Sequence, residues 1–174
     1  MSDLTNSSDS DRTVDGTSEA AKRAAGGRRP AFAGKPHHDV DPTVAGRGET
    51  ILVVEDEDAI RRLVTRQLTR LGYRVEQAAS AEAALARFDI DPVAIPAIDL
   101  LLTDIVMPGR LDGAALALLV RERWPALKII CMSGFPAARA PADAQVTQRF
   151  PFLSKPFTQQ ALATLVRAVL DGTA

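Results

Sequence analysis

Only one cysteine occurs in the 174 residues, so no internal disulfide can staple the fold. Its setting, the apolar run Lys128-Ile129-Ile130-Cys131-Met132, marks Cys131 as a small buried hydrophobe. No sign of charge dominates either. The formal net charge is −1, far from the basic excess of a nucleic-acid footprint, and no nucleic-acid partner is expected. Long hydrophobic runs are missing as well. There is no early apolar segment of a secretory signal and no stretch long enough to span a bilayer, so a cytoplasmic protein without a membrane partner is expected. A chain of this length has room for one ordinary domain and a tail.

What is present divides near Gly48. Residues 1–48 are rich in Ser, Asp, Gly, Ala, Arg and Pro and poor in large apolar side chains. Such a segment buries too little surface to offset its ordering entropy and reads as a disordered tail. Acidic residues dominate from Asp3 to Glu19 and basic ones from Lys22 to Lys35, which is ordinary for a solvated tail and compatible with a docking arm. Gly34-Lys35 lacks the rest of a phosphate-binding loop, since Arg29 stands where its first glycine belongs and Pro36 where Ser or Thr belongs. His37, His38 and Asp39 could touch a metal, but a flexible tail gives them no fixed geometry.

From Glu49 onward, short apolar runs alternate with helical patterns. Ile51 to Val54 is too apolar for a half-exposed strand, so both its faces are expected to be covered. A helix from Asp58 to Leu71 would bury Ile60, Leu63, Val64, Leu68 and Leu71 and stop at Gly72. Tyr73 to Ala78 reads as a second strand. Ser80 caps a helix through Phe88, with Glu82 favourable in its first turn. A proline-bearing loop follows from Asp89 to Ala97. Leu100 to Thr103 is a third strand and Gly113 to Arg123 a helix. Lys128 to Met132 and Phe150 to Leu153 are further strands, and a last helix after Thr158 buries Leu162, Leu165, Val166 and Val169. Pro136 and Pro141 predict a short or irregular helix between the last two strands. Strands alternating with helices imply an α/β fold, a doubly wound five-stranded parallel sheet with helices on both faces.

In such a sheet, ligands bind at the carboxyl ends of the strands. The first strand ends in Glu55-Asp56, the third in Asp104, the fourth in Ser133 and the fifth in Ser154-Lys155. Each alone has a bland reading: an acid after a strand caps a helix, Ser133 before Gly134 makes a turn, and Lys155-Pro156 is a loop. Together they gather three carboxylates, a hydroxyl and an ammonium on one edge. Crowded carboxylates repel and raise one another's pKa. A hard cation removes that cost, and Mg²⁺ takes one or two carboxylates, waters and a phosphate oxygen. Lys155 would add to the neutralisation, an ion pair at about 4 Å being worth roughly 4 kcal/mol at an effective dielectric near 20.

The stretches Val53-Val54-Glu55-Asp56-Glu57, Leu102-Thr103-Asp104-Ile105-Val106-Met107-Pro108, Asp112-Gly113, Met132-Ser133-Gly134 and Phe152-Leu153-Ser154-Lys155-Pro156-Phe157 resemble, in order, the receiver domain of two-component response regulators. The resemblance covers Glu49 to Gly172, places a receiver domain at residues 49–174 and implies a flavodoxin-like strand order 2-1-3-4-5. It implies that Asp104 is the phosphoacceptor, and that Glu55, Asp56, Asp104 and the Val106 carbonyl hold Mg²⁺. Ser133 and Lys155 would bind the phosphoryl group, Phe152 would be the rotating switch aromatic, and the Lys155–Pro156 bond would be cis. The span from Asp104 to Gly113 is one residue longer than in chemotaxis-type receivers, with Gly109-Arg110 holding the extra residue.

The family's implied role is a signalling switch rather than an enzyme, phosphorylated by a histidine kinase or a histidine phosphotransfer protein and acting on a downstream protein that the sequence does not name. A phosphorelay intermediate or phosphate sink stays open, because the Ser133-Gly134-Phe135 signature is similar to receivers of hybrid histidine kinases. So does a different class: Asp56-Glu57-Asp58 matches the Asp-x-Asp of haloacid-dehalogenase-type phosphatases, with Asp56 as nucleophile and Asp58 as acid.

Overall fold

The computed structural model describes residues 41–90, 98–134 and 146–174, with the side chains of residues 89 and 90 left aside. Most of the tail, residues 91–97 of the segment expected as a proline-bearing loop, and residues 135–145, where a short or irregular helix is expected, lie outside the described residues. Helix α2 runs two residues past Phe88, to Ile90, into that expected loop. Five strands, β1 (Thr50–Val54), β2 (Arg74–Ala78), β3 (Leu100–Asp104), β4 (Lys128–Ser133) and β5 (Phe152–Ser154), pair in parallel in the order β2-β1-β3-β4-β5. The helices with described bounds are α1 (Asp58–Arg70), α2 (Ala81–Ile90), α3 (Gly113–Arg123) and α4 (Gln159–Asp171), and residues 146–149, where the described chain resumes, are helical. Among the described residues, no helix is long and apolar enough to cross a membrane.

Strand alternation sorts the core into two layers. Leu52, Val54, Leu101, Ile129 and Cys131 face α2 and α3 through Ala84, Phe88, Ala117 and Val120. Ile51, Val53, Leu100, Leu102, Ile130 and Met132 face α1 and α4 through Val64, Leu68, Leu162 and Val166. Every residue of β1 and β3 is therefore buried, as their apolar runs require. Each buried Leu, Ile or Val contributes about 1.5–3 kcal/mol of transfer free energy, which fixes register and faces together. Burial pushes the Cys131 thiol up to about 12, with the nearby Asp104 charge adding to it, so this thiol stays protonated and inert.

Two expectations need correction. Leu63 is 44% exposed instead of lying on the buried stripe of α1. At about 100° per residue, Ile60, Val64, Leu68 and Leu71 line up while Leu63 falls well to one side. Phe150 is buried but not in a strand: its amide donates to the Val146 carbonyl at 2.9 Å, at the end of the helical residues 146–149, and β5 starts two residues later.

Residues just before the compositional boundary already pack on the domain. Gly46 N–H donates to the Leu71 carbonyl at 2.7 Å, the Tyr73 hydroxyl to the Val44 carbonyl at 3.3 Å, and Val44 packs beside the α1–α4 layer. A chain beginning at residue 41 should be more stable than one beginning at residue 49 by about 1–2 kcal/mol, the worth of these bonds and of Val44 burial. Urea unfolding of the two chains measures the difference, and coincident curves would count against it.

At the amino ends of the strands, Arg167 fastens α4 to the start of β1. It is 6% exposed and donates to Glu49 Oε1 at 2.7 Å and to Asp171 Oδ2 at 3.0 Å. Burial pushes the Glu49 carboxyl up, but hydrogen bonds from Arg167 and from backbone amides outweigh it and hold the group below its usual range. A depressed folded pKa means stabilisation that is present above the unfolded value, about 4.3, and lost as pH falls through the folded one. Glu49→Gln should therefore be less stable than wild type by about 1–3 kcal/mol at neutral pH, with the gap closing below about pH 4. Denaturant unfolding across pH checks this, and a gap that does not change with pH would refute it.

Candidate functional site

Four strand ends deliver the polar residues that the sequence picks out. Glu55 and Asp56 follow β1, Asp104 ends β3, Ser133 ends β4, and Lys155 follows β5. Carboxylate oxygens of Glu55, Asp56 and Asp104 lie within 4.8 Å of one another. Glu55 is 1% exposed and Asp104 7%, whereas Asp56 is exposed at the mouth. The Lys155 ammonium sits between the two buried acids, 2.5 Å from Glu55 Oε2 and 2.5 Å from Asp104 Oδ2.

Burial pushes the Glu55 carboxyl up and the Asp104 charge adds to this, while Lys155 pulls the other way without cancelling it. Desolvation works against the Lys155 ammonium, but its hydrogen bonds to Asp104 and Glu55 prevail and raise its pKa, so the lysine stays charged. Lys155 thus balances part of the acidic cluster, and one carboxylate, Asp56, remains open to solvent beside it.

Backbone contacts fix the rest. Asp104 Oδ1 accepts the Val106 N–H at 3.1 Å, leaving Oδ2 to Lys155. Val106 itself is 52% exposed at the rim. Ser133 is buried, and its carbonyl accepts the Lys155 N–H at 2.7 Å, which ties the hydroxyl-bearing strand end to the lysine. The Lys155–Pro156 peptide is cis. Phe152 is half-buried, paired in register with Cys131 and packed against the α2–α3 layer. Gly113 lets α3 start against the end of β3: a Cβ there would overlap the Asp104 carbonyl and lie 2.8 Å from Thr103 Oγ1. Asp112 caps α3 by accepting the Ala115 N–H at 2.8 Å.

One contact was not legible in the sequence. Glu82 belongs to the first turn of α2, where it suits the helix dipole, but its carboxylate also accepts the N–H groups of Arg110 and Leu111, each at 3.1 Å. It thereby holds the loop between β3 and α3 at Arg110 and Leu111. Loop amides need acceptors, but no pattern in the sequence says that Glu82, 28 positions before Arg110, supplies them.

The donor set suits a hard divalent cation: three carboxylates, two of them nearly buried, at the edge of a parallel sheet. Residues 51–167 match the response regulator receiver domain, and the chain belongs to that family. It is 40% identical over 126 residues to the sensor kinase CckA of Brucella abortus, across 70% of this chain but only 12% of the kinase. To the response regulator receiver protein CpdR of the same organism it is 35% identical over 120 residues, 69% of this chain and 95% of that protein. The chain thus spans a small part of the first relative and nearly the whole of the second. Of solved structures, the CheY-like response regulator receiver domain protein of Methanospirillum hungatei superposes with a TM-score of 0.62 at 25% identity, over 72% of this chain and 96% of that one. NtrX from Brucella abortus does so with a TM-score of 0.62 at 30% identity, over 72% of this chain and 28% of that one. The fold is therefore the flavodoxin-like receiver fold, and the family's business is phosphorylation-dependent two-component signalling.

Proposed function

We propose that Asp104 is the phosphoacceptor of this receiver, and that the chain is a switch which hands a signal to a partner protein. The observation that carries the reading is the Lys155 ammonium bonded to both Glu55 and Asp104 within a cluster of three carboxylates. Glu55, Asp56, Asp104 and the carbonyl of Val106 would hold Mg²⁺, which when bound supplies charge neutralisation at the transferring phosphoryl oxygens.

The remaining steps belong to the chain. An Asp104 carboxylate oxygen attacks the phosphorus of a phosphohistidine on a histidine kinase or histidine phosphotransfer protein. The phosphorus–nitrogen bond breaks, its electron pair returns to the imidazole, and an acyl phosphate remains on Asp104. Lys155 pairs with the new phosphoryl oxygens and the Ser133 hydroxyl donates to one of them. Such transfer depends on positioning and charge neutralisation more than on covalent help from the protein. Movement of Ser133 toward the phosphoryl group then vacates space into which the Phe152 ring turns, changing the face seen by a partner.

A second reading, a relay intermediate or phosphate sink, draws support from the likeness to a stretch of a sensor kinase. The phosphatase reading loses support because Asp58, its acid, is engaged in ion pairs with Arg61 and Arg62. Incubation with acetyl phosphate, with and without Mg²⁺, tests the proposal by intact mass. One phosphoryl adduct that needs the metal is the expected outcome; no adduct, or continuous release of inorganic phosphate at enzyme-like rates, would contradict it.

A further inference from the structure

Arg61 lies in the first turn of α1 and gives no atom to the carboxylate cluster. Its guanidinium reaches back over the turn between β1 and α1. Nη1 donates to the carbonyls of Glu55 at 2.7 Å and Asp56 at 3.2 Å, and Nη2 donates to Asp58 Oδ1 at 2.7 Å. The Arg61 side chain is only 14% exposed, whereas neighbouring Arg62, which pairs with the same Asp58, is 72% exposed. The two carbonyls held by Arg61 belong to the two residues whose carboxylates face Asp104. Fixing a carbonyl fixes its peptide plane, and two adjacent fixed planes set the direction in which the side chains leave the turn.

We infer that Arg61 is a positioning residue for the divalent cation: its fork holds the Glu55-Asp56 turn so that both carboxylates stay aimed at the cation site. This rests on the metal reading of the preceding subsection. Two features separate positioning from mere charge balance in a turn that carries four consecutive acids, Glu55 to Asp58. The contacts go to backbone carbonyls rather than to the ligand carboxylates, and they use the planar, multi-donor geometry that Lys lacks. Arg62 supplies the same charge one residue later and makes no such bridge, so it serves as an internal control.

The test is Mg²⁺ titration of the full chain by calorimetry, well below the melting temperature of every variant, beside amide NMR without metal. Arg61→Gln and Arg61→Lys should each weaken Mg²⁺ binding by about tenfold, the usual cost of losing a group that orients a ligand. Arg62→Gln should leave the affinity within about twofold, as expected of an exposed pair. The amides of Asp56 and Glu57 should shift in Arg61→Lys even in the absence of metal. Wild-type affinity in Arg61→Lys together with a weakened Arg61→Gln would make the role one of charge and overturn the inference. So would wild-type affinity in both. If Arg61→Gln fails to fold, the Lys variant decides alone. A wild-type chain that binds no Mg²⁺ would overturn the metal reading and this inference with it, whereas wild-type binding with unaffected Arg61 variants would overturn this inference only.

Discussion

Asp104→Asn should gain no phosphoryl adduct from acetyl phosphate and Mg²⁺ under conditions in which wild type gains one. The amide oxygen is a far weaker nucleophile than a carboxylate, and a phosphorylated amide is not an accessible product. The substitution is nearly isosteric, and the Val106 N–H can still find an oxygen at the Oδ1 position, so the loss would report chemistry rather than folding. Asp56→Asn should retain the acceptor but slow its reaction by about 100-fold, as expected when a group that stabilises the transferring charge is removed. The reverse pattern, reaction in Asp104→Asn and none in Asp56→Asn, would assign the nucleophile to Asp56 and restore the phosphatase reading.

Lys155→Met should lose about 3 kcal/mol of stability in EDTA near pH 8, because it strips the cation from a nearly buried pair of acids. Part of the loss is recoverable in two ways. Glu55 is already pushed up by burial, and removing Lys155 takes away the main influence lowering it, so the variant binds a proton more readily when folded than when unfolded. A raised folded pKa means that stability grows as pH falls through it, and the gap to wild type should narrow toward pH 5. Saturating Mg²⁺ should also narrow it, because acids no longer neutralised by Lys155 bind the cation more tightly than those of wild type and so gain more stability from it. Melting curves of the variant and wild type in EDTA that coincide at pH 8 would mean that Lys155 does not neutralise the cluster.

Much of the fold was legible because buried parallel strands announce themselves as continuous apolar runs, and α3 falls on the span its pattern gives, Gly113–Arg123. The gathering of Glu55, Asp56, Asp104, Ser133 and Lys155 followed from topology alone, since strand ends on one edge must be neighbours. What escaped were contacts that depend on where a long side chain turns. Arg61 reaching two carbonyls, Glu82 reaching the amides of Arg110 and Leu111, and Arg167 pairing with Glu49 across 118 positions leave no periodic trace. Leu63 shows the converse: a residue apolar enough for the core, set aside because the stripe of α1 is narrower than its run of apolar letters.

The most direct measurement is to locate the phosphoryl group itself. Borohydride reduction of the phosphorylated chain converts an aspartyl phosphate to homoserine, which tandem mass spectrometry then finds by position. Homoserine at position 104 alone, dependent on Mg²⁺ during phosphorylation, is the expected result; homoserine at position 56, or a phosphate that resists reduction because it sits on a hydroxyl such as that of Ser133, would contradict it.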